Sequence, residues 1–246
     1  MINLFITIKF KKIIGLISCI IGICLLTFGV ININNQSTIL TSNEVFEPSY
    51  IIVVDAGHGE PDGGAVSVNG VRESMLNLQV AKLLEEELTG LGYEVVMTRN
   101  DENNIADNEL QNSTIRKIKV SDINNRIKIT NNANADMLIS IHMNKFSSEK
   151  YYGWQTFYKK NSEYSKMLAK NIQKGINNNI ERENKRTELP INNIKLIDKS
   201  EIPAVIVECG FLSNGEDVRL LQTEEYKKQI VYGIIEGIEE FYNIDK

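Results

Sequence analysis

The sequence predicts an α/β fold: a single three-layer domain with a largely parallel, twisted sheet flanked by helices, preceded by an N-terminal transmembrane helix. Short apolar runs typical of buried strands, such as 50–57 and 135–142, alternate with longer amphipathic stretches typical of helices. A separate uncharged apolar run over 13–31 indicates the membrane helix.

The strands are predicted where apolar residues run together or alternate with polar ones. The first, over 50–57, is a continuous apolar run that ends in an acidic residue and glycine, as in a strand buried on both faces. The run at 154–160 alternates, which favours a position nearer the edge of the sheet. In chain order the predicted strands are 50–57, 93–99, 135–142, 154–160 and 204–210.

The helices are predicted from apolar spacings of three and four residues. In the first helix this spacing continues until Gly92, a residue typical of a helix C-terminus. The second begins at a capping residue, Ser121 or Asp122, after a polar stretch over 100–120 that predicts a long loop. The predicted helices are 77–91, 122–134, 162–177 and 223–242.

The first 31 residues are predicted to anchor the chain in a membrane. Residues 1–12 form a short basic cytoplasmic segment, and residues 13–31 are long enough to cross a bilayer as a helix. Because the lysines precede the apolar span, the rest of the chain is expected outside the membrane. No small-residue cleavage pattern follows, which favours a retained anchor over a removed signal peptide. Lipid attachment at Cys19 is a less favoured alternative.

The remaining chain divides into a linker and one folded domain. Residues 32–49 are polar and lack periodicity, which predicts a linker, and the domain then spans 50–246. The net charge of −5 argues against a nucleic-acid partner, since such proteins present a basic face. Cys209 has no cysteine partner within the domain and is predicted to be a small buried residue.

Titratable residues stand at the ends of three predicted strands. His58 lies just beyond the first strand, His142 ends the third, and Glu208 lies near the end of the last. In parallel sheets, ligands collect beyond the carboxyl ends of the strands. We therefore expect these three side chains to converge at one edge of the sheet.

The glycine-rich loop "GHGEPDGGA" that carries His58 does not match a dinucleotide-binding loop. That motif needs a third glycine where Asp62 stands, and a helix that opens directly after it. A metal site fits better, because catalytic zinc commonly takes two histidines and a carboxylate, here His58, His142 and Glu73. Each histidine alone could equally be a hydrogen-bonded loop or core residue. Glu208 could be a structural ion-pair partner or a general base.

Four motifs together resemble the zinc-dependent N-acetylmuramoyl-L-alanine amidases. They are "VVDAGHGEPDGGAV", "RES", "ADMLISIHMN" and "PAVIVECGFLSN", and the resemblance spans residues 50–246. It implies one zinc ion held by His58, Glu73 and His142. It also implies that Glu208 is the catalytic acid group and, more weakly, that Asn144 contacts substrate.

The resemblance implies hydrolysis of the amide between the lactyl group of N-acetylmuramic acid and L-alanine. The short anchor, the lack of wall-binding repeats and the "GEPDGGAV" variant resemble the branch of the family that acts on spore cortex, on the route to muramic δ-lactam. The alternatives are a zinc peptidase that cuts within the stem peptide and a non-catalytic wall-binding module.

The resemblance also implies the partners and the location of the protein. The expected partners are peptidoglycan glycan strands with stem peptides, a membrane through the N-terminal helix, and an unidentified protein activator; no nucleic acid is expected. The catalytic domain is expected outside the cytoplasm, between the two membranes of a developing spore.

Overall fold

A computed structural model describes residues 50–110 and 113–243. Its strands are β1 (Ile51–Ala56), β2 (Glu94–Met97), β3 (Met137–Asn144), β4 (Gln155–Lys159), β5 (Leu189–Ile191) and β6 (Ala204–Phe211). Its α-helices are α1 (Glu73–Gly90), α2 (Ile115–Asn132), α3 (Glu163–Asn179), α4 (Lys195–Lys199), α5 (Gly215–Leu221) and α6 (Glu224–Asn243). The predicted membrane helix at 13–31 and most of the linker at 32–49 lie outside these residues. Among the described helices, none has the length and apolarity needed to cross a membrane.

The six strands form one sheet in the order β2-β1-β3-β6-β4-β5. All neighbouring strands run parallel except β4 and β6, which are antiparallel. The prediction of a largely parallel sheet is therefore confirmed, and β4 lies one strand from the edge, as its alternating sequence predicts. The carboxyl ends of β1, β3 and β6 lie side by side in the centre of the sheet.

Helices cover both faces of the sheet, which confirms the three-layer arrangement. Ile52 and Val54 of β1 belong to the larger core, which α1, α3, α5 and α6 complete. Val53 points to the opposite face and belongs to a smaller core with residues of α4. Cys209 is fully buried in the larger core, as predicted.

Two helices begin earlier than their apolar spacing predicts. Helix α2 begins at Ile115, so the second part of the predicted loop at 100–120 is helical. Five of its first six residues are exposed, so no continuous apolar stripe marks the start of the helix. Helix α1 begins at Glu73 instead of residue 77. The apolar spacing does not show this start, because the first buried residues, Glu73 and Ser74, are polar.

Three short elements were absent from the sequence-based prediction: β5, α4 and α5. Strand β5 has three residues, two of them exposed, and α4 has only five residues, so neither shows a readable period. Helix α5 ends just before α6, and the sequence predicted only the second of these two helices, over 223–242. The start of α5 is defined by Asn214, whose side chain accepts hydrogen bonds from the backbone N–H groups of Glu216 and Asp217.

Candidate metal centre

The three side chains predicted to bind a metal lie together at the carboxyl edge of the sheet. One nitrogen from each of His58 and His142 and one oxygen of Glu73 all lie within 4.8 Å of one another. Glu73 Oε1 is 2.9 Å from His142 Nδ1 and 3.3 Å from His58 Nε2. The two histidine nitrogens thus face the same carboxylate oxygen, an arrangement that converges on one point.

His58 is positioned by the backbone that leaves β1. Its φ angle is 62°, a conformation that few residues other than glycine adopt. Arg126 donates hydrogen bonds to the carbonyl oxygens of Ala56 and His58. Arg99 donates to the carbonyls of Ala56 and Gly57. Two buried arginines therefore hold the exit of β1 in the shape that presents His58.

His142 is positioned by β3 and by the absence of a side chain at Gly57. Its ring lies directly against Gly57, where a Cβ atom would be 2.2 Å from His142 Nε2. Real Cβ contacts are never that short, so any other residue at this position would displace the ring. The first glycine of the loop is therefore a requirement of the second histidine.

Glu73 is the first residue of α1 and is 4% exposed. Its Oε2 accepts a 2.8 Å hydrogen bond from the N–H of Ala65, and its Oε1 lies 3.2 Å from the N–H of Met143. Gly64, at φ +67°, allows the close approach, because a Cβ there would lie 2.6 Å from Glu73 Oε2. The glycine-rich loop is thus shaped around this carboxylate.

Asp62 adds a carboxylate behind His58 that the sequence-based reasoning missed. Its Oδ2 is 2.9 Å from His58 Nδ1, and its Oδ1 accepts hydrogen bonds from Lys119 Nζ at 2.9 Å and from the N–H of Gly64 at 3.2 Å. Ligand histidines in proteins usually donate their second ring N–H to such a group. An acidic residue four positions after His58 in the same loop was the available signal.

The electrostatics of this cluster favour a positive charge at its centre. Burial lowers the pKa of His58, but hydrogen bonds and charge from Asp62 and Glu73 raise it more, to about 9. Burial raises the pKa of Glu73, but the two imidazoles lower it more, to well below its ordinary range. Two imidazoles and a carboxylate that stabilise an added positive charge fit a metal cation.

Glu208 lies on the neighbouring strand, at the position that pairs with His142. It is half-buried, and its Oε2 is closed to solvent without a hydrogen-bond partner among the described residues. Burial raises its pKa to about 7, against a smaller lowering by His142 and together with a smaller rise from Glu73. The sequence left Glu208 open as a structural ion-pair partner or a general base. Within residues 50–110 and 113–243 it forms no ion pair, which favours the general base.

A cavity of about 670 Å³ opens over these side chains. Lys119, Ile123 and Arg126 of α2 line one wall, and residues 193–197, at and just before α4, line another. Asn144, the weakly predicted substrate contact, lies on the rim, where its Oδ1 accepts a hydrogen bond from the N–H of Lys145. The cavity is large enough for a small ligand and leaves the cluster accessible.

A family model described as N-acetylmuramoyl-L-alanine amidase matches residues 52–240, which include the whole sheet and every residue of the cluster. The chain belongs to this family. The resemblance carried by the sequence motifs is therefore confirmed, and the protein is a peptidoglycan hydrolase of the amidase class.

Individual amidases are similar over the same region. The germination-specific N-acetylmuramoyl-L-alanine amidase of Bacillus subtilis is 33% identical over 192 residues, covering 78% of this chain and 79% of the relative. The CwlD amidase from Clostridioides difficile, solved in complex with the GerS lipoprotein, is 38% identical with a TM-score of 0.77, covering 80% of this chain and 100% of that one. An N-acetylmuramoyl-L-alanine amidase from Clostridium difficile 630 is 28% identical with a TM-score of 0.69, covering 80% and 98%. These amidase relatives disfavour both the stem-peptide peptidase and the non-catalytic wall-binding module.

Proposed function

We propose that this amidase acts on spore-cortex peptidoglycan, with one zinc ion held by His58, Glu73 and His142 and with Glu208 as its acid–base group. The observation that supports this most directly is the buried Oε2 of Glu208, which has no partner among the described residues and lies beside the cluster of His58, Glu73 and His142. This donor set is the one that catalytic zinc takes when it keeps a position open.

When bound, zinc would supply Lewis acidity toward the scissile carbonyl and toward water. The Glu208 carboxylate takes a proton from the attacking water as the new carbon–oxygen bond forms at the lactyl carbonyl. The same group then delivers that proton to the nitrogen of L-alanine as the carbon–nitrogen bond breaks. The products are a lactyl carboxylate and a stem peptide with a free amine. The pKa of about 7 suits a group that must both accept and release a proton near neutral pH.

The role in the spore is supported by the germination-specific relative from Bacillus subtilis and by a sporulation-specific amidase of the same organism, which is 25% identical. In this role the peptide-free muramic acid is the precursor of muramic δ-lactam. We further propose that residues 13–31 anchor the enzyme, with its catalytic domain between the spore membranes. The complex of the similar CwlD with the GerS lipoprotein supports a lipoprotein as the class of its protein partner.

Glu208→Gln tests the chemical part of the proposal. We expect this variant to retain stoichiometric zinc, measured by plasma mass spectrometry, while turnover of purified muropeptides falls by about 10²–10⁴-fold. His142→Ala is expected to lose both zinc and activity. Glu201→Gln, an exposed carboxylate just before β6, is the matched control and is expected to keep both. Full activity in Glu208→Gln would remove Glu208 from the mechanism.

A comparison of spores tests the biological part. Cortex from cells that lack the gene is expected to contain no muramic δ-lactam by mass spectrometry of its muropeptides, and complementation with the wild-type gene is expected to restore it. Normal lactam content without the gene would assign the amidase to another wall substrate.

A further inference from the structure

An arginine stacked on aromatic rings lies at the carboxyl edge of the sheet, on the opposite side of Glu208 from the histidines. The guanidinium of Arg186 is 4.6 Å from the ring centre of Phe211 and 5.8 Å from that of Tyr151. The Phe146 ring packs edge-on against Tyr151, with ring centres 4.9 Å apart. We call Arg186 with Phe146, Tyr151 and Phe211 the arginine–aromatic cluster.

Among the described residues, Arg186 has no acidic partner, unlike Arg126 and Arg182. Most of its donors are also free there, unlike those of buried Arg99, which donates four hydrogen bonds to backbone carbonyls. Arg126 pairs with Asp55, and Arg182, which stacks on Tyr152, pairs with Asp217. Within the described part of the chain, no carboxylate lies within ion-pair distance of Arg186. Its charge is therefore available to a ligand.

The guanidinium of Arg186 is also held in a fixed orientation. Its Nε donates to the carbonyl oxygen of Tyr152 at 3.2 Å, and its Nη1 donates to Gln155 Oε1 at 3.1 Å. An arginine has five N–H donors, so three remain without a partner among the described residues. A stacked, preoriented guanidinium with free donors is suited to binding a carboxylate.

The surroundings of Arg186 carry positive charge. A cavity of about 270 Å³ beside it is lined by three cationic side chains, Lys150, Lys185 and Arg186, and by one carboxylate, Glu183. Glu183 already pairs with Lys185 at 3.1 Å. This local excess stands against a net charge of −5 for the whole chain, and it complements an anionic ligand.

The sheet connects Arg186 to the catalytic carboxylate. Gln155 of β4 pairs with Glu208 of β6 in the antiparallel ladder, so their side chains share one face, and Gln155 is the residue that Arg186 contacts. Arg186 therefore stands on the side of Glu208 away from the histidines, the direction in which we place the residues of the stem peptide beyond the scissile amide.

We propose that Arg186 is a substrate-binding residue that recognises a carboxylate of an acidic stem peptide, on the side of the amine that leaves. This inference rests on the proposed function, because Glu208 defines where the scissile amide lies. It gives the amidase a preference for stem peptides whose second residue is charged, and it assigns the arginine–aromatic cluster to that subsite.

Two muropeptides test this proposal: they are identical except that the carboxylate of the second residue is free in one and amidated in the other. Wild-type enzyme is expected to have a kcat/KM about ten-fold higher for the free acid, because a charge-assisted hydrogen bond at a partly exposed site is lost in the amide. Arg186→Gln is expected to lose this preference by a ten-fold fall on the acid, mostly in KM. Its activity on the amidated substrate is expected to fall much less, so that the variant cleaves the two substrates at similar rates.

Three outcomes would contradict either the binding role of Arg186 or the proposed function. Equal losses on both substrates would show that Arg186 only supports the loop, and would overturn the proposal; so would a wild-type enzyme with no preference. Failure of the wild type to cleave either substrate would instead refute the proposed function. Arg219→Gln, which removes an exposed arginine that pairs with Glu216, is the matched control and is expected to retain the preference. Urea unfolding of both variants verifies that each is folded.

Discussion

At the scale of single residues, each candidate ligand depends on a neighbour that does not itself contact the metal. His142 requires the bare backbone of Gly57, and Glu73 requires that of Gly64. His58 requires Asp62, which holds Nδ1 and leaves Nε2 directed at Glu73. The "GHGEPDGG" loop is therefore explained by the side chains that it must accommodate.

Asp62→Asn is expected to weaken zinc binding by about 10–100-fold, because the substitution removes the charge that orients His58 and strengthens it as a ligand. Competition with a chromophoric chelator measures the zinc dissociation constant. Glu60→Gln is the control, since Glu60 lies in the same loop and pairs with Arg72 instead of a histidine. An unchanged dissociation constant in Asp62→Asn would show that backbone geometry alone positions His58.

At the scale of secondary-structure elements, α3 and α6 form a very close helix–helix contact. Gly175 on α3 faces Gly233 and Gly237 on α6. A Cβ at Gly237 would lie 2.4 Å from the backbone of Ile172, so the two helix axes can approach this closely only because glycine is present. This pair of helices covers the face of the sheet on which the larger core lies.

Gly237→Ala is expected to destabilise the fold by about 1–3 kcal/mol, because the added methyl group meets backbone and forces the helices apart. Urea unfolding measures the change in the free energy of unfolding. Gly90→Ala at the end of α1 is the control: nothing lies within 4 Å of its Cβ position, and this variant is expected to be neutral or slightly stabilised. Equal stability of the two variants would mean that the helices separate at no cost.

At the scale of the whole molecule, a buried ionic network connects the sheet to the second layer of helices. Asp55 of β1 pairs with Arg126 of α2 at 2.6 Å and accepts hydrogen bonds from Ser140 of β3 and from Thr98 after β2. Burial raises the pKa of Asp55, but Arg126 and the two hydroxyl groups lower it more, to about 2. The same arginine holds the carbonyl of His58, so one network supports both the fold and the site.

Asp55→Asn is expected to lower the free energy of unfolding at pH 7 by about 2 kcal/mol, because buried Arg126 loses one of its two carboxylate partners and keeps Asp122. The folded-state pKa of Asp55 lies below its ordinary value, so its contribution is complete above about pH 4 and is lost as the pH falls toward 2. The difference between wild type and variant should therefore narrow over that range in pH-dependent urea unfolding. Asp198→Asn, an exposed carboxylate on α4, is expected to show no such gap.

By itself the sequence determined the α/β class, the principal strands, and the positions of His58, His142 and Glu208. Apolar periodicity and strand ends are local properties, and parallel strands must place their carboxyl ends along one edge. Glu73 followed less directly, as the carboxylate before a predicted helix that a zinc site with two histidines requires, and the motif resemblance supported it. The short elements β5, α4 and α5 show no periodicity in the sequence, because each contains too few residues.

Only the tertiary structure decided which side chains support the ligands and that Arg186 lacks an acidic partner among the described residues. Asp62 acts on His58 through the turn of a loop, and Arg126 reaches β1 across 70 residues of chain. Arg186 is distinguished from Arg126 and Arg182 by the lack of a carboxylate partner among residues 50–110 and 113–243. Such relations depend on distances between segments that are remote in sequence, and composition and spacing do not encode those distances.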